Sequence, residues 1–201
     1  MALPPAHPER QLKHRRSIDV AVYACGHGLW EVDARLVDAK TRDYPLAGGI
    51  RQAGDPVHDM TLRLVIDEQM NILAAGAHTE WMPYPGHCNA YGDAYGRLVG
   101  LNLMHRFRQG VKERLGGIQG CTHLTEMAQV LPTAVVQAFA GEVLDTQENG
   151  QAQTDQQPFQ IDRCHALRSD GEAVRQFYPR WYRPDTSADG TSSPLTPQTS
   201  K

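Results

Sequence analysis

Three short segments of the chain carry side chains that could bind a metal ion. A GCTH segment at residues 120–123 opens an apolar helical pattern, an HD pair at residues 58–59 precedes a strand pattern, and an HC pair at residues 87–88 precedes another helical pattern. Imidazole nitrogens and thiolates are the ligands that zinc and similar transition metals prefer. The candidate metal ligands are therefore His58, Cys88, Cys121 and His123.

Both candidate cysteines stand where a glycine-bearing segment passes into a helical pattern. The free amides and partial positive charge of a helix start favour thiolate, the form that binds metal or attacks an electrophile. His123 follows Cys121 by two residues, so both reach one ion only if Cys121 precedes the first helical turn. The candidate catalytic residues are Cys121, His123 and Asp59. Asp59 or Glu126 could orient a ligand or replace one.

Each of these residues alone also fits an ordinary structural role. A buried cysteine behaves as a small apolar residue, and a buried histidine usually pairs with another polar group. The arrangement of four such residues at the starts of regular elements is what favours a metal site. Cys25 has the pattern of a turn residue, whereas Cys164 and His165 form a reserve ligand pair.

The net charge, the lack of long apolar runs and the absence of several motifs argue against some classes of function. The 201 residues carry a formal charge of −3, so nucleic acid and anionic membranes are not expected partners. No apolar run reaches the roughly 20 residues of a spanning helix, and the N-terminus lacks a secretory pattern. We therefore expect a cytoplasmic protein whose four cysteines form no disulfide framework. The absence of a Walker A motif, dinucleotide fingerprint or serine nucleophile elbow disfavours nucleotide-driven and classical hydrolase chemistry.

The spacing of apolar residues along the chain predicts an α+β fold. Residues 18–38 and 60–80 alternate as two hairpins, which predicts an antiparallel β-sheet packed against helices. Helical patterns run from about residue 89 to 109 and from Cys121 to Ala140, the second interrupted by a proline. Residues 40–57 read as a loop.

Three segments are expected in the domain organisation. Residues 1–15 are predicted to be a flexible arm, residues 16–183 one metal-site domain, and residues 184–201 a disordered tail. Within the domain, residues 145–158 read as a polar linker and residues 169–178 as a small helix.

The block from residue 57 to about 139 resembles the iron–sulfur scaffold family of the NifU and IscU type, including its zinc-holding sulfur-acceptor branch. Residues 57–67 (VHDMTLRLVID) and 72–75 (ILAA) are similar to the two strands of that family, and Cys88 and Cys121 fall at its second and third cysteines. The resemblance implies a NifU/IscU-like core. His58 stands at the first cysteine, and this change suits a mononuclear zinc or iron ion better than an iron–sulfur cluster.

Over nearly its whole length the chain also resembles a bacterial domain family of unknown function. The shared features include the GLW, HDM, PYP and GCTHL segments at residues 28–30, 58–60, 83–85 and 120–124, and CHAL at residues 164–167. This resemblance implies no activity.

Three functions follow from the candidate site, and the sequence leaves open whether the chain is an enzyme. The first is a zinc or iron site that acts on a small organic or aromatic substrate, with Trp81, Tyr84 and Tyr91 lining its approach. The second is sulfur transfer, with Cys121 accepting sulfur from a donor protein. The third is an interaction domain whose metal is purely structural. Homo-oligomerisation is left open.

Overall fold

The structure is a computed structural model that describes residues 3–146 and 155–184, apart from the side chains of residues 91 and 92. The chain divides into two compact units, Met1–Phe139 and Ala140–Lys201. The predicted tail at 184–201 lies outside the described residues except for Pro184, as does the greater part of the predicted linker. The first strand begins at His14, within the last two residues of the segment predicted as an arm.

The first unit is built on a four-stranded antiparallel sheet, as the two predicted hairpins indicated. Its strands are β1 (His14–Gly26), β2 (Leu29–Lys40), β5 (Pro56–Asp67) and β6 (Ile72–Trp81), in the order β1-β2-β5-β6. A short separate hairpin of β3 (Tyr44–Leu46) and β4 (Gly49–Arg51) occupies part of the segment predicted as a loop.

Alternation in β2 and β5 explains why one face of this sheet forms the core. Successive side chains of a strand point to opposite faces, so an apolar residue at every second position makes one apolar face. On this face Leu36, Leu62 and Leu64 are completely buried. The opposite face carries polar pairs such as Arg63 and Asp33, whose side chains form two hydrogen bonds of 2.6 Å.

The helical pattern predicted over residues 89–109 is divided into two elements. A 3-10 helix spans Cys88–Leu98, and α1 spans Phe107–Leu115. Between them the backbone pairs with the start of β6, since the Ile72 amide donates to the Leu101 carbonyl at 2.9 Å. Gly100 adopts a φ of +83°, which a helix cannot contain and which glycine adopts without strain.

The second predicted helical segment begins where expected. Cys121 is the residue before α2 (Thr122–Ala128), and α3 (Leu131–Phe139) follows after a short turn. The apolar side of both helices is buried, including Leu124, Met127 and Val135.

The second unit is small. It contains α4 (Glu172–Phe177), within the helix predicted at 169–178, and a 3-10 helix at Pro179–Trp181. Ile161, Val174 and Tyr178 form its buried cluster. None of the helices among the described residues is long and apolar enough to cross a membrane.

Candidate functional site

A buried carboxylate lies at the centre of the site. Asp38, near the end of β2, pairs directly in register with His58 on β5. The Asp38 side chain is 4% exposed, yet its carboxylate has three partners. Arg16 donates to its two oxygens at 2.8 Å each, His14 Nε2 lies 3.0 Å from Oδ1, and His58 Nδ1 lies 3.0 Å from Oδ2.

These partners keep Asp38 ionised. Burial alone would raise the pKa of its carboxyl group, but the Arg16 guanidinium and then His58 outweigh burial and lower this pKa to about 2. A carboxylate can only accept hydrogen bonds. The proton in the contact between Asp38 and His58 therefore belongs to His58 Nδ1, and in the neutral ring the lone pair is then on Nε2.

His58 is held in its neutral form. Burial lowers the pKa of its imidazole, the neighbouring His123 lowers it further, and the hydrogen bond to Asp38 only partly opposes these effects. Neutral imidazole is the form that binds a metal ion or accepts a proton.

His123 connects His58 with Cys121. The two imidazole rings lie 4.0 Å apart between centroids at an interplanar angle of 35°. On its other side, His123 Nδ1 is 3.8 Å from Cys121 Sγ. Cys121 has an extended conformation before the first turn of α2, which is the condition that the two-residue spacing required.

The Cys121 thiol lies in an environment that favours thiolate. Burial alone would raise its pKa, but hydrogen bonds from the His123 ring and from the amides of Leu124 and His123 outweigh burial, and the net pKa is lowered. The same contact raises the pKa of His123.

Tyr95 fixes the backbone of Cys121. Its side chain is completely buried, and its hydroxyl lies 2.9 Å from the Cys121 carbonyl oxygen and 3.0 Å from Thr125 Oγ1. The Cys121 amide donates to the same hydroxyl oxygen at 3.1 Å.

Three of the four predicted ligands lie along one line of contacts. His58, His123 and Cys121 follow one another, while Cys88 lines a cavity of about 340 Å³ together with Cys121. Among the described residues, one group of three has donor atoms that all lie within 4.8 Å of one another. Its members are Asp38, His58 and His123.

The predicted carboxylates have other partners. Asp59 points away from His58 and accepts two hydrogen bonds from Arg35, at 2.8 and 2.6 Å. Glu126 accepts one from Arg16 at 3.2 Å. The reserve residues Cys164 and His165 are exposed in the second unit, and Cys25 is exposed near the turn after β1.

Of the three aromatic residues predicted to line the approach, Tyr84 lines the cavity beside Cys121. Trp81 packs instead under the guanidinium of Arg51, whose carbon lies 4.3 Å from the ring centroid. The side chain of Tyr91 lies outside the described residues.

Sequence reasoning missed Asp38, Arg16, His14 and Tyr95. A signal for Asp38 was present, because it continues the buried alternation of Val32, Ala34 and Leu36 along β2. A charged residue at a core position of a strand must have a partner inside the protein. Nothing comparable marked Tyr95, whose spacing fits an ordinary buried aromatic residue.

Comparisons with known proteins give a family but no relative of known activity. The family model described as "Protein of unknown function (DUF2889)" matches residues 14–137, a range that contains Asp38, His58, Cys88, Cys121 and His123. No curated protein and no solved structure matches the chain. The resemblance to the NifU and IscU type gains no support from these comparisons. The match covers more than half of the 201 residues, and the chain belongs to the DUF2889 family.

Proposed function

We propose that the chain binds one transition-metal ion, zinc or iron, and uses it on a small organic molecule. The proposed ligands are the imidazoles of His58 and His123, which already lie together, and the thiolate of Cys121, which lies 3.8 Å from His123 and would have to turn toward His58 to share the ion. The observation that carries the proposal is the pair of His58 and His123 rings at 4.0 Å, with His58 Nδ1 on a buried carboxylate at 3.0 Å. Histidines that bind metal commonly donate their other ring N–H to such a carboxylate.

Charge supports this assignment. Two imidazoles this close repel each other when both are protonated, and a metal ion that displaces the proton of His123 would stabilise their approach. Asp38 is already neutralised by Arg16, so we assign it the orientation of His58 rather than a place among the ligands.

Whether Cys88 binds the ion determines whether the site is closed, with four protein ligands, or open, with three. Because Cys88 and Cys121 line the same cavity, Cys88 is the candidate for the fourth ligand. Four protein ligands make a structural zinc site, which is the interaction-domain alternative, whereas three leave a position for water or substrate. A bound ion in an open site would act as a Lewis acid or lower the pKa of a bound water.

Sulfur transfer is the second candidate function. What favours it is the position of Cys121, whose thiol has a lowered pKa and lines a cavity open to solvent. In this version, which goes with a NifU/IscU-like core, the Cys121 thiolate attacks the outer sulfur of a persulfide on a donor protein, the donor's S–S bond breaks, and the donor cysteine leaves as a thiolate.

Elemental analysis of the purified protein tests the metal proposal. We expect about one zinc or iron ion per chain, and a drop in metal affinity of about 10-fold or more in His58→Ala and His123→Ala. His78→Ala is the matched control, since His78 lies on the same sheet with a side chain that is 75% exposed. The proposal fails if the wild type takes up neither ion after reconstitution, or if all three variants bind metal equally.

A further inference from the structure

We infer that the cavity beside Cys121 is a binding site for a small, uncharged aromatic molecule. The cavity measures about 340 Å³, and its lining residues are Tyr84, His87, Cys88, Gly120 and Cys121. The inference rests on the proposed metal centre only for the reaction that the bound molecule would undergo. Binding itself does not require the ion.

The size of the cavity limits the ligand. Ligand sites usually measure about 300–1,000 Å³, and this one lies at the small end of that range. A single ring with a few substituents fits such a volume, whereas a whole coenzyme would extend beyond it.

The chemistry of the lining limits the ligand further. The lining side chains are a phenol, an imidazole and two thiols, and none of the described lining residues is Lys, Arg, Asp or Glu. In the metal-free protein a carboxylate or phosphate would therefore gain no permanent cationic partner from the lining in exchange for its water, which is costly. Thiols are polarisable and make favourable contacts with aromatic rings.

Tyr84 supplies the aromatic contact. Its side chain is 55% exposed, and it stands between Pro83 and Pro85, whose rings restrict the backbone on both sides. The amides of His87 and Cys88 both donate to the Tyr84 carbonyl, at 3.1 and 3.0 Å. An aromatic ring on a restrained backbone can stack on a ligand with little loss of conformational entropy.

Ligand titration followed by saturation-transfer NMR tests the inference, with p-cresol as the probe. Benzoate serves as the charged single-ring comparison and 4-methylcyclohexanol as the non-aromatic one. We expect saturable binding of p-cresol, at least 10-fold tighter than that of either comparison compound. Tyr84→Ala should weaken p-cresol binding at least 10-fold and Tyr84→Phe should retain it. Tyr23→Ala, which removes an exposed tyrosine that does not line the cavity, should leave binding unchanged.

Each titration is run on chelator-treated and on zinc-loaded protein, with a reductant to keep the cysteines as thiols. Binding to chelator-treated protein supports the inference even if no metal is ever found, in which case only the proposed metal centre fails. Metal uptake without p-cresol binding overturns the inference and leaves the metal centre standing. Equal binding of benzoate to the chelator-treated protein, where no ion can attract its carboxylate, also overturns it, as does equal binding of p-cresol to Tyr84→Ala.

Discussion

Asp38 and His58 lie directly opposite each other on two neighbouring antiparallel strands, and their side chains meet at 3.0 Å on the face of the sheet that the helices cover. The contact is therefore set by the register of β2 and β5, the same strand pair that carries much of the core. A slip of one residue would turn both side chains to the opposite face. The core and the site thus depend on the same pairing.

Removal of the Asp38 charge should weaken both stability and metal binding. In Asp38→Asn only one atom of the side-chain amide can accept hydrogen bonds, whereas the two Arg16 bonds and the His58 contact use both oxygens of the carboxylate. We expect a loss of about 1–3 kcal/mol in the free energy of unfolding and about 10–100-fold in metal affinity, measured by urea denaturation and metal titration. Asp33→Asn is the control, because its pairing with Arg63 is on the exposed face and should contribute at most about 1 kcal/mol. Equal effects of the two substitutions would contradict the role of Asp38.

The acid stability of the metal-free protein should also depend on Asp38. Its pKa is about 2 in the folded chain, against an ordinary value of 3.8. A carboxyl group with a lowered folded pKa stabilises the protein fully above its unfolded pKa, and this contribution is lost as pH falls toward the folded value. The free energy of unfolding should therefore decline between about pH 4 and pH 2. Asp38→Asn should decline less over the same interval when both are measured by denaturant unfolding.

The sheet and the start of α2 could be predicted because each has a strong local signal. Residues 60–66 alternate in polarity, and Cys121 follows a glycine and precedes an apolar helical pattern. The break between Leu98 and Phe107 could not, because it arises from backbone bonds to residues 70–72, some thirty positions earlier. Long-range pairing of this kind overrides a local helical pattern.

The histidines and the cysteine of the candidate site could be singled out from the sequence, but the carboxylate beside them could not. Proximity in sequence suggested Asp59 as the partner of His58, yet neighbouring residues of a strand point to opposite faces. The structure pairs Asp59 with Arg35 and brings Asp38 to His58 from the adjacent strand. The contact depends on which residues of β2 and β5 pair, and the two residues are twenty positions apart in the chain. A single sequence does not reveal that register.

Tyr95 should act as a positioning residue for Cys121. Tyr95→Phe removes the hydroxyl that contacts both the amide and the carbonyl of Cys121. We expect a loss of about 1–2 kcal/mol in the free energy of unfolding. Metal affinity should fall as well, although no candidate ligand is changed. Thr125→Val, which removes another partner of this hydroxyl, should have a smaller effect on metal affinity. Unchanged metal affinity in Tyr95→Phe would show that the Cys121 backbone needs no such support.

The core of the first unit should be sensitive to loss of volume on the helix-covered face. Leu62 is completely buried, so Leu62→Ala should cost about 2–5 kcal/mol in the free energy of unfolding. Leu73 on β6 is 48% exposed, and Leu73→Ala should cost far less. Urea denaturation of both variants compares them directly, and similar losses would mean that the covered face is not the main core.

Replacement of His58 by cysteine separates a mononuclear ion from an iron–sulfur cluster. A cysteine keeps a metal-binding side chain on β5, so His58→Cys should retain zinc where His58→Ala loses it. It also gives three thiols with Cys88 and Cys121, and thiolates are what hold an iron–sulfur cluster. We therefore expect a cluster chromophore after anaerobic reconstitution with iron and sulfide in His58→Cys, and none in the wild type.

Zinc content and visible absorption distinguish the outcomes for His58→Cys. Loss of zinc in both His58 variants would mean that the imidazole and its bond to Asp38 are required, and that a thiol on β5 cannot reach the ion. A stable cluster in the wild type as purified would contradict the mononuclear assignment, because His58 would then hold a cluster together with thiolates. Unchanged zinc in His58→Ala would remove His58 from the ligand set.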